Sequence, residues 1–261
     1  MAGRDSVLFS ASVASSTVAG TVVPLSLAYG IENVRQGYGT PVLKNVRAFF
    51  HGMYGTNIHG VPIEIKNSNW TDAAGVIAQA FSQDTSLGHD SLGFMRGRDK
   101  ELIPNTSWII NAELPATTVS AGKIYVLFEI EYSAVPGLNT EKMSGSPVFK
   151  KCSNASVTLA ADTVGSIGSF DNLLQNIDYY LSEVSVINPE GSNNPFFVIL
   201  EGFSNQRGLV RIIPAKCTGT ADQVEGSVIL TKQTYSVSVL SYSALSAASV
   251  IVGFEMIASK N

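Results

Sequence analysis

The stretch AGKIYVLFEIEYS at residues 121–133 returns in altered form as AASVIVGFEMIAS at residues 247–259. Without a gap, the two agree at Ala121/Ala247, Val126/Val252, Phe128/Phe254, Glu129/Glu255 and Ser133/Ser259. Runs of β-branched and aromatic residues like these are typical of buried β-strands. The repeat therefore indicates a domain that occurs twice and closes each time with the same kind of strand.

Weaker matches upstream keep the same order along the chain. KNVRAFFHG (44–52) resembles SEVSVINPEG (182–191), and in GVPIEI (60–65) and NPFFVI (194–199) a proline precedes an apolar strand. ASVASSTVAG (11–20) resembles ASVTLAADTVG (155–165), and Leu114 meets Leu240 at the spacing of the closing strands. The ordered matches favour duplication. The alternative is that any two β domains rich in Val and Ser show this much sequence similarity.

Short strand patterns bounded by Gly, Pro, Asn and Ser fill both halves, and no sustained helical period occurs, so the sequence predicts an all-β protein. In VRAFFH, Val46, Ala48 and Phe50 share one face, and in SVSVLSYS the valines 237 and 239 do the same. The nearest helix candidates are residues 71–81 and 170–181. Strands are predicted near 7–14, 21–29, 42–51, 61–66, 75–81, 92–96, 106–114, 123–132, 147–151, 155–160, 163–169, 178–188, 195–201, 208–213, 225–231, 234–240 and 249–258.

The segment AVPGLNTEKMSGSP at 134–147 reads as an exposed connection, because it holds two prolines, two glycines and a charge pair. We therefore predict a first domain at residues 1–135, a linker at 136–146 and a second domain at 147–261. Each half supplies about eight strands, which is the jelly-roll count of two four-stranded sheets. An immunoglobulin-like sandwich has a similar number of strands and stays open at this point.

Composition limits the function classes. The chain has 261 residues, 45% of them hydrophobic, only 15% charged, and a net charge of −4, whereas about 25% charged is usual. Weakly charged surfaces suit large protein contacts, since Ser, Thr and Asn are cheaper to bury than charges; a secreted β protein has the same composition. The acidic balance and the lack of a basic arm argue against direct, sequence-specific nucleic-acid binding. We expect no transmembrane helix and no signal peptide.

Few residues suggest chemistry, and we predict no catalytic, cofactor-binding or metal site. Cys152 and Cys217 are the only cysteines, and their pairing is open between a disulfide and two reduced thiols. Loop histidines His51 and His59, with a third ligand such as His89, would be needed for a metal ion, and surface residues are the simpler interpretation.

Three further groups have a functional and a structural interpretation. Glu129 and Glu131 share a strand face, as a glycosidase or metal pair does, yet they also suit a solvent or subunit face. Asp84, His89 and Asp90 stand among serines without a G-x-S-x-G elbow, so we interpret them as a polar loop. Trp70 and Trp108 are candidates for sugar-stacking platforms or for half-buried packing.

With duplicated halves that each end in an apolar, aromatic strand (IYVLFEIEY and VIVGFEMIA), the chain resembles the double jelly-roll major capsid proteins of icosahedral viruses. The resemblance spans the whole chain but includes no diagnostic motif. It implies a virion protein without cofactors or enzymatic activity, forming trimers that contact neighbouring capsid subunits, other virion proteins or an underlying membrane. The alternative function is an extracellular carbohydrate- or surface-binding β-sandwich protein.

Overall fold

We describe the protein from a computed structural model. It covers residues 3–54, 60–68, 76–83, 100–133, 147–153, 157–170, 179–187, 196–202, 210–215, 218–220, 229–230, 235–241, 244–248 and 251–258. The chain divides into two compact units, here called the first unit (Asp5–Ser133) and the second unit (Met1–Arg4 with Ala134–Asn261). The predicted linker at 136–146 lies outside the described residues, and the predicted domain boundaries stay a prediction.

Over the described residues the chain is all-β and holds no helix, which confirms the all-β part of the predicted fold. Of the first helix candidate, residues 76–81 are strand, and of the second, 179–181 are strand; the residues 71–75 and 171–178 lie outside the described ones, as does the predicted strand at 92–96. The strands of the first unit are β1 (Gly3–Val13), β2 (Val22–Pro24), β3 (Ser26–Tyr29), β4 (Pro41–His51), β5 (Gly60–Asn67), β6 (Val76–Gln83), β7 (Lys100–Glu101), β8 (Trp108–Glu113) and β9 (Gly122–Tyr132).

The second unit continues the numbering. Its strands are β10 (Pro147–Ser153), β11 (Val157–Leu159), β12 (Val164–Phe170), β13 (Tyr179–Ile187), β14 (Phe196–Gly202), β15 (Val210–Ala215), β16 (Thr218–Thr220), β17 (Ile229–Leu230), β18 (Tyr235–Ser241), β19 (Leu245–Ala248) and β20 (Ile251–Ala258). The short strands β7, β16 and β19 have no counterpart among the predicted segments, because two to four residues are too few to show a period.

The first unit consists of two antiparallel sheets with nested pairings. One sheet has the order β3-β1-β9-β4-β7 and the other β2-β8-β5-β6. If the edge strand β3 is set aside, the remaining eight strands pair first with eighth, second with seventh, third with sixth and fourth with fifth. The last strand of the unit therefore lies inside its sheet, between the first and the third.

The second unit has the same nested order. Its larger sheets run β10-β20-β13-β16 and β12-β18-β14-β15, with β17 also paired to β13 and with β11 and β19 forming a separate pair. If β11 and β19 are set aside and β16 and β17 count together as the sixth strand, the eight remaining positions pair as they do in the first unit. The stretches quoted at the outset, β9 and β20, occupy the eighth position of the two units.

Register agrees where the third strand meets the eighth. In the first unit Arg47 lies opposite Leu127 and Ala48 opposite Val126. In the second unit, at the equivalent places, Ser185 lies opposite Gly253, and the valines 186 and 252 face each other. A β-bulge follows on the third strand of each unit, between Lys44 and Arg47 in β4 and between Leu181 and Glu183 in β13.

The sequence match of Leu114 with Leu240 is wrong. Leu114 continues the buried side of β8, two positions beyond Ala112. In β18, Val237 and Val239 are buried and Ser236 and Ser238 are half-exposed, so Leu240 has the parity of the serines, although its own side chain is also buried. A shift of one residue moves a strand's side chains to the opposite face, and the spacing of the closing strands does not extend to the seventh strands.

The core of the first unit lies between its two sheets. Phe128 of β9 stacks on Phe9 of β1, with ring centroids 5.7 Å apart, and meets Trp108 of β8 edge-on at 4.7 Å. Val46, Ala48 and Phe50 are all buried, as their alternation predicts. Each large apolar side chain buried here contributes about 1.5–3 kcal/mol.

Candidate functional site

Glu129 and Glu131 lie on the face of β9 that points away from Phe128 and Ile130, and both are half-buried. Lys44 of β4 stands opposite Glu129 in the strand register, and its Nζ lies 3.9 Å from Oε1 of Glu131. A cross-strand lysine of this kind balances the charge of the carboxylates and supports strand pairing. Of the two glutamates that the sequence offers as a candidate catalytic or metal pair, Glu131 therefore belongs to a structural ion pair with Lys44.

A partly buried group of charged and aromatic side chains lies where the two ends of the first unit meet; we call Asp5, Arg35, Tyr38 and Tyr132 the Arg35 cluster, of which Asp5 and Tyr132 are fully buried. The Asp5 side chain is 0% exposed, and its Oδ2 accepts a hydrogen bond from Nε of Arg35 at 2.5 Å. Nη2 of Arg35 donates to the other carboxylate oxygen at 3.4 Å. Because β1 begins near Asp5 and β9 ends at Tyr132, this cluster connects both ends of the unit to the loop at residues 30–40.

Aromatic rings complete the cluster. The backbone N–H of Arg35 donates to the hydroxyl of Tyr132 at 3.2 Å, and the Arg35 guanidinium lies 5.6 Å from the centre of the Tyr38 ring. Tyr38 in turn meets Tyr132 edge-on, with centroids 5.5 Å apart. A buried carboxylate needs such partners, because an unpaired charge in the interior is costly.

Electrostatics in the cluster follow from this burial. Burial raises the pKa of the Tyr132 hydroxyl far above its ordinary value, and the negative charge of Asp5 raises it further. Burial alone lowers the pKa of Arg35, but the hydrogen bond to Asp5 and its charge outweigh that effect, and the net pKa lies above the ordinary value. The cluster therefore holds a charged guanidinium and a neutral phenol, an arrangement suited to fixing backbone segments.

Sequence reasoning missed this cluster. Its hydrogen bonds join residues 30 and 97 positions apart in the chain, and no motif spans such distances. One available signal was Asp5, a charged residue close to the predicted strand at 7–14, since charged residues that become buried are usually paired.

Two loops form the opposite end of the first unit; we call residues 14–22 and 114–121 the loop surface. Oγ1 of the buried Thr118 donates to the carbonyl of Ala14 at 2.7 Å and accepts from the backbone N–H of Thr17 at 2.9 Å. Backbone hydrogen bonds join Gly20 to Leu114 at 2.8 Å and Leu114 to Thr21 at 3.0 Å. The two loops are thus joined along most of their length.

The loop surface exposes apolar side chains and carries no Asp, Glu, Lys or Arg. Val18 is 63% exposed, Val22 56% and Val119 64%. The only other large hydrophobic side chain exposed within the described part of the chain is Val164 of the second unit, at 39%. Exposed apolar residues that cluster on one surface suggest an interaction site, whereas isolated ones do not.

The remaining sequence candidates are only partly described. Trp108 is 8% exposed and packs on Phe128, so it is not an open platform for a sugar. Within the described ranges, no group of three His, Cys, Asp or Glu side chains is placed to hold a metal ion. Those ranges also contain no helix long and apolar enough to cross a membrane. Candidates that fall on undescribed residues or side chains are His51, His59, Trp70, Asp84, His89, Asp90, Cys152, Cys217 and Glu255.

Comparison with known proteins gives distant likenesses. No protein-family model and no curated protein sequence matches the chain. Among solved structures, the chain is similar to the T13 viral particle of IBDV, at 7% identity over 99% of this chain and 73% of the other, with a TM-score of 0.27. It is also similar to the Gx strain of infectious bursal disease virus, at 9% identity over 100% and 77%, with a TM-score of 0.22. TM-scores this low support neither a shared fold nor a shared function.

Proposed function

We propose that the chain is a structural, self-assembling virion protein: a major capsid protein built from two jelly-roll domains that arose by duplication. On this proposal three copies form a trimer that presents six jelly rolls, and trimers tile an icosahedral shell. The partners are neighbouring capsid subunits, with other virion proteins or an underlying membrane inside the shell. The protein has no catalytic role in this function.

The nested strand order, present in both units, carries the proposal. An eight-stranded sandwich in which first pairs with eighth, second with seventh, third with sixth and fourth with fifth is a hairpin rolled up on itself, which is the jelly-roll arrangement. An immunoglobulin-like sandwich distributes its strands differently between its two sheets. Two successive units with this order are the architecture that the sequence resemblance implies.

Register and bulges support common descent of the two units. Each unit has one β-bulge in its third strand beside the eighth; the bulge lies opposite Phe128 in the first unit and next to Glu255, one or two positions further along the eighth strand, in the second. The matched prolines differ in place, since Pro62 is the third residue of β5 whereas Pro195 comes directly before the first residue of β14 in the sequence.

The distribution of charge supports assembly. Only 15% of the residues are charged, and a subunit with few charges loses little free energy of hydration when large surfaces are buried. The net charge of −4 does not favour contact with a nucleic acid backbone. A shell that contacts its own copies rather than the genome fits both properties.

The decisive experiment measures the mass of the assembled protein. We expect the purified chain to elute as a trimer or larger particle in size-exclusion chromatography with light scattering, and negative-stain images to show symmetric particles. A chain that stays monomeric across a range of concentration, salt and pH would contradict the proposal. A small oligomer that binds immobilised glycans would instead favour a carbohydrate-binding β-sandwich protein.

A further inference from the structure

We propose that the loop surface of the first unit (residues 14–22 and 114–121) is a contact surface for a second copy of this chain. The inference rests on the proposed function, because it assigns one of the contacts through which the subunits assemble. The inference locates one contact on the first unit. If it is wrong, the chain can still assemble through other surfaces.

Exposure singles out this surface. Of the four large hydrophobic side chains that are exposed in the described part of the chain, three lie here: Val18, Val22 and Val119. All three are more than half exposed, so they add nothing to the core of the unit. Apolar groups that are left in water on neighbouring segments gain free energy when a partner covers them.

Hydrogen bonding makes the surface rigid before any partner arrives. The backbone N–H of Ser16 donates to the carbonyl of Thr118 at 2.9 Å, and the N–H of Thr118 returns a bond of 2.9 Å to the carbonyl of Thr17. On the other side, the N–H of Val119 donates to the carbonyl of Met53 at 2.8 Å, and Ser120 donates its hydroxyl to the carbonyl of Gly52. Pre-ordered loops lose less conformational entropy on binding than mobile ones.

Charge indicates the kind of partner. The loop surface has no charged side chain, and Glu113, opposite Val22 in the register, stands at its border. A nucleic acid or an anionic lipid needs Lys or Arg on its partner, and a strongly charged protein would lose hydration without compensation. A second copy of this weakly charged chain supplies the neutral surface that complements it.

The test compares like substitutions at different places. Val18→Asp with Val119→Asp puts charge on the loop surface, whereas Val164→Asp puts the same charge at the exposed valine of the second unit. If the loop surface is a contact, we expect the double variant to weaken self-association by about a hundredfold, as measured by sedimentation velocity. We expect the Val164 variant to assemble like the unchanged protein.

Two results separate the two proposals. If the unchanged chain is monomeric, the proposed function fails and this inference fails with it. If the unchanged chain assembles and the double variant assembles equally well, self-assembly stands and the loop surface is not a contact. Neutral phosphatidylcholine vesicles that bind the unchanged chain but not this still-assembling double variant would then identify a lipid surface as the occupant.

A second measurement avoids substitutions that could disturb folding. In Val119→Cys, maleimide labelling at residue 119, located by mass spectrometry, reports whether that position is covered. We expect at least a tenfold slower reaction in the assembled form than in the dissociated form. Equal rates in the two forms would overturn the inference even if the aspartate variants misfold.

Discussion

Replacing Arg35 with methionine keeps most of the volume of the side chain and removes the positive charge beside Asp5. The Asp5 side chain is 0% exposed, whereas that of Arg35 is 23% exposed. Removing one partner of a buried ion pair costs about 3–5 kcal/mol, because the other charge stays buried and unpaired. Since Arg35 retains some contact with water, we expect the lower end, about 3 kcal/mol of unfolding free energy.

Tryptophan fluorescence during urea unfolding is a suitable assay. Both tryptophans of the chain, Trp70 and Trp108, belong to the first unit, so the signal follows the unit that contains the substitution. Trp108 packs on Phe128 in the core, and unfolding will expose its ring to water. The midpoint of the transition and its slope then give the change in stability, provided that the slope stays constant.

The matched control is Lys44→Met, which removes a positive charge from a partly exposed pair with Glu131. That pair is separated by 3.9 Å, and both of its side chains reach solvent. We expect a cost below about 1 kcal/mol. The double variant Asp5→Asn with Arg35→Met should recover most of the loss, because no buried charge remains. Equal costs for Arg35→Met and Lys44→Met, or additive costs in the double variant, would refute the reasoning.

Three further predictions concern other places in the first unit. Burial raises the pKa of Tyr132 in the folded state, so its contribution to the free energy of unfolding is fully present below the unfolded pKa of about 10. Above that pH the free energy of unfolding falls by about 1.4 kcal/mol per pH unit. Tyr132→Phe should remove this fall, as measured by urea titrations at pH 9–11.5. Thr118→Val should cost about 1.5 kcal/mol, because the backbone N–H of Thr17 loses its acceptor and the carbonyl of Ala14 keeps only the hydrogen bond from the Thr17 hydroxyl. Thr117→Val removes a single 3.4 Å hydrogen bond and should cost under about 0.5 kcal/mol; thermal melts measure both. Gly30→Ala should cost about 3 kcal/mol or more of unfolding free energy, because φ is +112° and the added methyl group would lie 2.8 Å from a backbone oxygen. Gly37→Ala has φ +80° but open space around it, and it should cost about 1 kcal/mol. Similar melting temperatures for the two variants would contradict this account.

Strands were predictable where side chains alternate. The buried set Val46, Ala48 and Phe50 could be identified from six letters of sequence, because a strand with one core face has a period of two. β9 is different: its first seven residues are all buried, so alternation starts only near Glu129. A strand buried on both faces has no period to detect, and its apolar length is then the only signal.

The likeness of the two closing strands was predictable, but the equivalence of the strands that precede them was not. The closing strands aligned correctly because both lie inside their sheets and keep an apolar run. Leu114 and Leu240 misled because leucine is common on either face and both are buried; only the alternation of the neighbouring residues shows which face each one occupies. The Arg35 cluster could not be predicted, since its contacts depend on a loop whose path the local sequence does not determine.

The position of β9 between β1 and β4 has a consequence for synthesis on the ribosome. The fourth and fifth strands can pair as soon as they emerge, but the sheet of β9 has a gap between its first and third strands until residues 122–132 follow. Until then two unpaired strand edges are exposed, and such edges join with those of other chains. Pairing of distant strands is also slow. The nascent first unit is therefore most prone to aggregation just before its eighth strand inserts, and a ribosome pause shortly before that point would raise the demand for chaperones.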